Sequence, residues 1–296
     1  MLKLKKIICI VLSFALLTCL SSCNPNKDAD LTVPTDDTST KNEKVLLISI
    51  DGLRGDIALT GKHADKLKEI STYSTSVTTV YPSVTLPCHM SMQHGVSPES
   101  HGVFTNTYTP SVELVDGIAE TLSSSGKTCA FFYNWGPLGD VISDSALVKK
   151  EYVSGESLGW KEANAALAKS CKEYLMNNDV DYAFLYLGCL DAMGHTYGWL
   201  SSEYLAELDS SMDLVFDIID ILSEEYTVII TSDHGGHNYT HGTQSSEDMT
   251  IPIFLIGSKF AQGKEIYGGS ILDIAPTVAN ILGVIPQSAW SGKIIE

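Results

Sequence analysis

From residue 45 to residue 283, short apolar runs alternate with longer amphipathic stretches, and this alternation narrows the possible folds more than any other feature. The runs at 45–50, 76–80, 128–133, 181–187, 226–232 and 251–256 have strand length. The stretches at 63–74, 112–125, 159–178, 202–224 and 271–283 carry helical spacing. Strands that read as continuous apolar runs are buried on both faces, and a helix between successive strands favours parallel pairing. The expected fold is therefore α/β: a mainly parallel central sheet between two helical layers. Residues 134–160, with Trp135, Gly136, Pro137, Gly139, Gly155 and Gly159, read as a long excursion over the edge of the site.

In an open α/β sheet, ligands sit beyond the carboxyl ends of the strands. Three of the apolar runs end in metal-ligand residue types. The run 45–50 ends on Asp51, followed at once by Gly52-Leu-Arg54-Gly-Asp56. The run 181–187 leads into Asp191-Ala-Met-Gly-His195, whose spacing on a helix places both side chains on one face. The run 226–232 delivers Asp233 and His234, and His237 and His241 follow within seven residues. So many histidines beside a strand-end carboxylate are poorly explained by packing.

A fourth segment, Tyr81-Pro-Ser-Val-Thr85-Leu-Pro87-Cys88-His89, reads as a helix start. Thr85 there has two readings. It is an N-cap hydroxyl, or it is a nucleophile beside the free N–H groups of a helix end. His89 and His101 read as residues that orient loops or ligands, His94 as packing and His63 as surface. Tyr133, Trp135, Tyr197 and Trp199 are candidates for stacking on a substrate group at the pocket mouth.

Composition removes some functions. The chain has 36 acidic against 19 basic residues and a formal net charge of −17, which argues against nucleic acid as an obligate partner. Arg54 is the only arginine, and a bidentate clamp on a phosphate monoester has no other source. Cys88, Cys129, Cys171 and Cys189 lack CxxC spacing, which argues against a zinc knuckle; one or two disulfides and buried free thiols both remain open.

Residues 1–22 read as an export signal: Lys3, Lys5 and Lys6, then an apolar run from Ile7 to Leu20 too short to span a membrane comfortably. The run ends Leu20-Ser21-Ser22-Cys23, which resembles a bacterial lipoprotein box with Cys23 as the lipidated residue. Residues 23–43 are polar and rich in Asp, Thr and Pro, and read as a tether. The expected location is extracytoplasmic, anchored to a membrane by lipid, with the catalytic domain at 44–296.

In chain order the segments supply Asp51, Thr85, Asp191, His195, Asp233, His234 and His241. With the D-G-x-R, T-x-P-x-H, P-E-S-H-G, D-x-x-G-H and S-D-H-G blocks, the chain resembles the alkaline phosphatase superfamily, nearest its type I phosphodiesterase/nucleotide pyrophosphatase branch. The resemblance implies that superfamily's three-layer αβα sandwich. It also implies two Zn²⁺ ions, with Mn²⁺ the lesser alternative. Asp191, His195 and His241 would hold one ion; Asp51, Asp233, His234 and the Thr85 oxygen would hold the other. Thr85 would attack phosphorus, and water would release the phosphothreonine.

Cys88, three residues after Thr85, stands where the resemblance expects an Asn donor, so phosphoryl contact is expected from the Cys88 N–H and the ions. The seven-residue step from His234 to His241 is short for the branch and is more like mutase-type relatives, which keeps His237 as a rival ligand. The implied substrate is a small phosphodiester or nucleotide-type pyrophosphate. The alternatives are a phosphomonoesterase or phosphonate hydrolase of the same superfamily, or a non-catalytic surface lipoprotein that binds a partner or an anion.

Overall fold

The computed structural model describes residues 43–109 and 112–296. The expected signal, lipidation site and almost all of the tether lie outside the described residues.

Among the described residues, eight strands form one sheet: β1 (Lys44–Ile50), β2 (Thr72–Thr78), β3 (Cys129–Tyr133), β4 (Lys149–Tyr152), β5 (Tyr182–Leu187), β6 (Tyr226–Thr231), β7 (Thr250–Ile256) and β8 (Lys264–Glu265). Their order is β4-β3-β5-β1-β6-β7-β2-β8. β1 pairs in parallel with β5 and β6, and only β7 runs against its neighbours. Register places Ser49 of β1 opposite Tyr186 of β5 and Thr231 of β6. The three central strands therefore end level, and the residues just past them, around Asp51, Gly188 and Asp233, share one edge.

Alternation along β1 divides the core. Val45 and Leu47 face one cluster with the helices Thr85–His94, Ile118–Ser124 and Ile274–Ile281. Leu46, Ile48 and Ile50 face the other, against the helices Trp160–Asn177 and Ser202–Leu222. Both long helices turn one apolar stripe inward: Ala163, Leu167, Ala168, Cys171 and Leu175 on the first, Tyr204, Leu208, Met212, Val215, Phe216 and Ile219 on the second. The Ser201 side chain caps the second by accepting the Tyr204 N–H at 3.2 Å. The result is the expected three-layer α/β sandwich.

Several boundaries differ from expectation. The first helix spans only Ala64–Ile70, and β2 begins at Thr72 rather than 76, because Thr-Tyr-Ser-Thr-Ser-Val alternates in burial along a strand. The 112–125 stretch is helical only from Ile118, after Gly117. The 134–160 excursion carries the edge strand β4 and three short helical turns, and only its ends approach the site edge. Asn134 Oδ1 accepts the Gly188 N–H there at 3.2 Å. All four described cysteines are buried free thiols, so no disulfide joins them.

Candidate active site

Asp51 leaves β1 into a turn that only glycine can follow. Gly52 has φ +74°, and a Cβ there would stand 3.1 Å from Asp191. The turn is held from three sides. The Gly52 N–H donates to Asp233 Oδ1 (3.2 Å), and its carbonyl accepts the Trp199 indole N–H (3.0 Å) and the Tyr204 hydroxyl (2.7 Å). The β1 turn and the residues after β5 and β6 thus converge.

Around His234, one imidazole nitrogen, one hydroxyl and two carboxylates converge. The His234 Nδ1–H donates to the Gly235 carbonyl at 2.7 Å, so Nε2 carries the lone pair. That nitrogen lies 3.2 Å from Thr85 Oγ1, 3.3 Å from Asp51 Oδ1 and 3.3 Å from Asp233 Oδ2. Asp51 Oδ1 and Asp233 Oδ2 are buried without a hydrogen-bond partner. Four ligands about 2.0 Å from a tetrahedral ion stand about 3.3 Å apart. Lone pairs crowded at that spacing, in burial, repel unless a cation or a proton lies among them.

The second set is built the same way. His195 Nδ1–H donates to the Tyr239 carbonyl (3.0 Å) and His241 Nδ1–H to the Ser83 carbonyl (2.9 Å). Their Nε2 atoms face each other at 3.2 Å, with Asp191 oxygens 3.5 Å from His195 and 3.7 Å from His241. Asp191 Oδ1 is another buried oxygen with no partner. Asp191 also comes within 4.8 Å of the ligand atoms of Asp51 and His234, and the His234 and His241 rings stack at 3.7 Å. The two sets are therefore adjacent.

Titration behaviour without metal points the same way. Burial first, then the Asp233 charge, holds the Asp51 carboxyl well above the usual carboxylate range. Burial and then Asp51 do the same to Asp191, and burial pushes Asp233 up to about 7. Burial, reinforced by His234, lowers His241 to about 2. A His241 imidazole held neutral is ready to bind a dication, and such an ion would favour the ionised form of carboxyls that resist ionising alone.

The structure brings together Asp51, Thr85, Asp191, His195, Asp233, His234 and His241. His237 turns away to Asp248 Oδ1 at 2.7 Å, whereas His241 Nε2 faces His195 Nε2. Thr85 is the first residue of its helix, and the preceding Val84 occupies the N-cap with no side-chain bond. The capping reading is therefore not realised. Behind Thr85, the His89 Nδ1–H donates to the Thr85 carbonyl (2.8 Å), and Ser49 donates to Nε2 (3.0 Å). Burial lowers His89 to about 3, which keeps it neutral. The loop-orienting reading of His101 also fits: it bonds Ser91 Oγ at 3.0 Å and accepts the Val103 N–H at 3.1 Å.

Cys88 does not fit its expected contact role. It is fully buried, Thr79 donates to its sulfur at 3.3 Å, and its N–H is spent on the Val84 carbonyl at 3.0 Å. The amide beside Thr85 is Asn106, whose Oδ1 accepts the Leu86 N–H at 3.0 Å. The sequence reading missed Asn106; its only signal was a short polar run after the P-E-S-H-G block. Of the four stacking candidates, Tyr133 is buried against Tyr152 and Trp135 packs on the core. Trp199 is buried with its ring edge-on to His195 and His241. Tyr197, at the end of the helix Cys189–Tyr197, is 48% exposed. Arg54 cannot act as a clamp as it stands: Asp56 holds its guanidinium at 2.6 and 2.9 Å, and the Gly236 carbonyl takes a third bond at 3.2 Å.

Comparison with known proteins finds relatives in sequence and in fold. The family model described as type I phosphodiesterase / nucleotide pyrophosphatase matches residues 45–248. Mouse ectonucleotide pyrophosphatase/phosphodiesterase family member 7 is 27% identical over 223 residues, covering 66% of this chain and 50% of its own length. A 2,3-bisphosphoglycerate-independent phosphoglycerate mutase from Shewanella amazonensis is 23% identical over 242 residues, covering 72% of this chain and 46% of its own. The chain thus spans about half the length of these relatives. The solved murine ectonucleotide pyrophosphatase/phosphodiesterase 5, in complex with AMP, superposes with a TM-score of 0.70 at 15% identity, over 85% of this chain and 97% of that one.

Proposed function

Because the chain belongs to the type I phosphodiesterase / nucleotide pyrophosphatase family, we propose that it is a two-zinc phosphohydrolase cleaving phosphodiester or pyrophosphate bonds through Thr85. One observation carries the reading. Three imidazoles, each fixed through Nδ1–H to a carbonyl, turn bare Nε2 atoms toward buried carboxylates with three unpaired oxygens, and one of them, His234, also lies 3.2 Å from the Thr85 hydroxyl.

Mixed imidazole and carboxylate donors without thiolate suit Zn²⁺, with Mn²⁺ the lesser candidate. Asp51, Asp233, His234 and Thr85 would hold one ion, and Asp191, His195 and His241 the other. Bound there, such ions lower the pKa of a coordinated hydroxyl or water and screen the charge that develops on phosphorus. The chain's own residues do the rest. Thr85 Oγ1, 4% exposed and fixed at the helix start, forms the new bond to phosphorus as the leaving group departs. Water then cleaves the phosphothreonine and restores the hydroxyl. Asn106, anchored through Oδ1, keeps its NH₂ as a donor for a phosphoryl oxygen. Tyr197 offers an aromatic face to the leaving group.

A diester or pyrophosphate is favoured over a monoester because the only arginine is already committed to Asp56 and Gly236. The names of the relatives and the AMP seen in the murine neighbour favour a nucleotide-type substrate. From the sequence at 1–23 the enzyme is proposed to be exported and lipid-anchored at Cys23.

The test is to compare bis-p-nitrophenyl phosphate with p-nitrophenyl phosphate on the purified protein. The diester should turn over faster, and EDTA should stop both reactions. Equal or reversed rates would move the enzyme to the monoesterase reading, and no turnover of either would favour the non-catalytic one.

A further inference from the structure

The two donor sets differ in what holds them. Asp233 and His234 lie one residue past β6, with His234 oriented by the adjoining Gly235 carbonyl; Asp51 follows β1, and Thr85 opens a helix buried on every side. In the other set, His195 and His241 both depend on the segment between β6 and β7. His195 is oriented by the Tyr239 carbonyl, and His241 is part of the segment itself.

That segment is fastened to one side chain. Asp248 is fully buried; its Oδ1 accepts the His237 Nδ1–H at 2.7 Å, and its Oδ2 accepts the Thr243 N–H at 2.8 Å and hydroxyl at 2.7 Å. Its carbonyl accepts the Gly235 N–H at 2.9 Å, while Gly236 N–H donates to the Glu247 carbonyl at 2.9 Å. A Cβ on Gly235 would stand 1.9 Å from that Glu247 oxygen, so the two strands of the loop touch through backbone. His237 and Thr240 then exchange both backbone hydrogen bonds, closing a tight turn. Tyr239 lies inside this turn, and His241 lies between it and the anchor at Thr243.

We propose that Asp248 is the positioning residue of the His195–His241 cation site: it ties both ends of the loop that sets these imidazoles, and occupancy of that site alone depends on it. The proposal rests on the two-cation reading above. It also accounts for the short step from His234 to His241, since a loop this short presents a ligand reproducibly only if pinned on both sides. Partners bonded directly to a metal ligand, as the Tyr239 carbonyl is to His195, are worth about 10–100-fold in affinity, and Asp248 acts through the loop that places that partner.

The test is a zinc titration of the metal-stripped protein by calorimetry, with bound metal counted by mass spectrometry. Wild type should take up two ions. Asp248→Asn should keep one at wild-type affinity and bind the other about 10–100-fold more weakly. Its remaining ion should match the single ion of His195→Ala. Two ions at wild-type affinity in D248N, or equal weakening of both, would overturn the proposal. If circular dichroism shows D248N unfolded, the partly exposed His237→Ala decides: the same selective weakening supports the assignment, and an unchanged titration refutes it. A wild-type chain holding fewer than two ions refutes the two-cation reading and this proposal together, whereas an unaltered D248N beside a two-ion wild type refutes this proposal alone.

Discussion

Stripping the site of metal should give the protein a stability that falls as pH rises, and Asp233 makes the size of the effect calculable. Its carboxyl is pushed by burial from an ordinary 3.8 up to about 7. Between those values the folded metal-free protein holds a proton that the unfolded chain has released. The slope of unfolding free energy with pH is therefore negative: the contribution is present below pH 4 and lost by pH 7. About three pKa units correspond to about 4 kcal/mol. In a domain of this size that moves the melting temperature by roughly 8–16 °C. Asp51 and Asp191, also held above the usual range, act in the same direction.

Self-repulsion in so acidic a chain adds its own downward slope, so the comparison must be with a variant. Asp233→Asn keeps the shape and removes the titration. Urea unfolding of both EDTA-stripped proteins from pH 4 to pH 7.5 should show wild type losing about 4 kcal/mol more than D233N across the window. Zinc-loaded wild type should lack this extra loss, because the bound ion stabilises the ionised ligands. Parallel curves for the two stripped proteins would refute the account of a carboxylate that needs a cation in order to ionise.

Thr85→Ala should lower turnover of the diester by on the order of 10³-fold or more while leaving metal content near wild type, and retained activity would remove Thr85 as nucleophile. Cys88→Ala should leave turnover within a few-fold and cost about 1 kcal/mol in a denaturation curve, since the thiol is buried packing; a selective loss of turnover would restore it to the substrate site. Cys23→Ser should release the protein from the membrane fraction, and continued attachment would rule out a lipid anchor at that residue.

The candidate ligand residues were legible because chemistry and topology coincide in them. Asp51, Asp191, Asp233 and His234 each follow a run of apolar residues too short for anything but a buried strand, and such strands present their ends at one edge. His195 was legible through its helical spacing from Asp191, whereas the choice between His237 and His241 needed the fold of the loop. What supports the ligands was not visible. Tyr186 reads as one more apolar strand residue, yet its hydroxyl donates to Asp51 Oδ2. Asp248 and Asn106 sit in polar stretches with no periodicity, and their roles come from contacts with Thr243 and Leu86 that only the folded chain creates. Cys88 was misjudged for a related reason. All ten residues of Thr85–His94 are buried, so no amphipathic pattern separates the face toward the site from the face toward the core. At β2, threonine and serine in a half-buried pattern hid a strand that the apolar-run criterion found only at its far end.

The central claim is that two cations lie side by side with a threonine oxygen against one of them. Anomalous scattering at the zinc edge from zinc-grown crystals tests it directly. The account predicts two peaks per chain, one within bonding distance of Asp51, Asp233, His234 and Thr85 Oγ1, the other of Asp191, His195 and His241. A map with no peak at these residues, or with a single peak bound elsewhere on the surface, would contradict it.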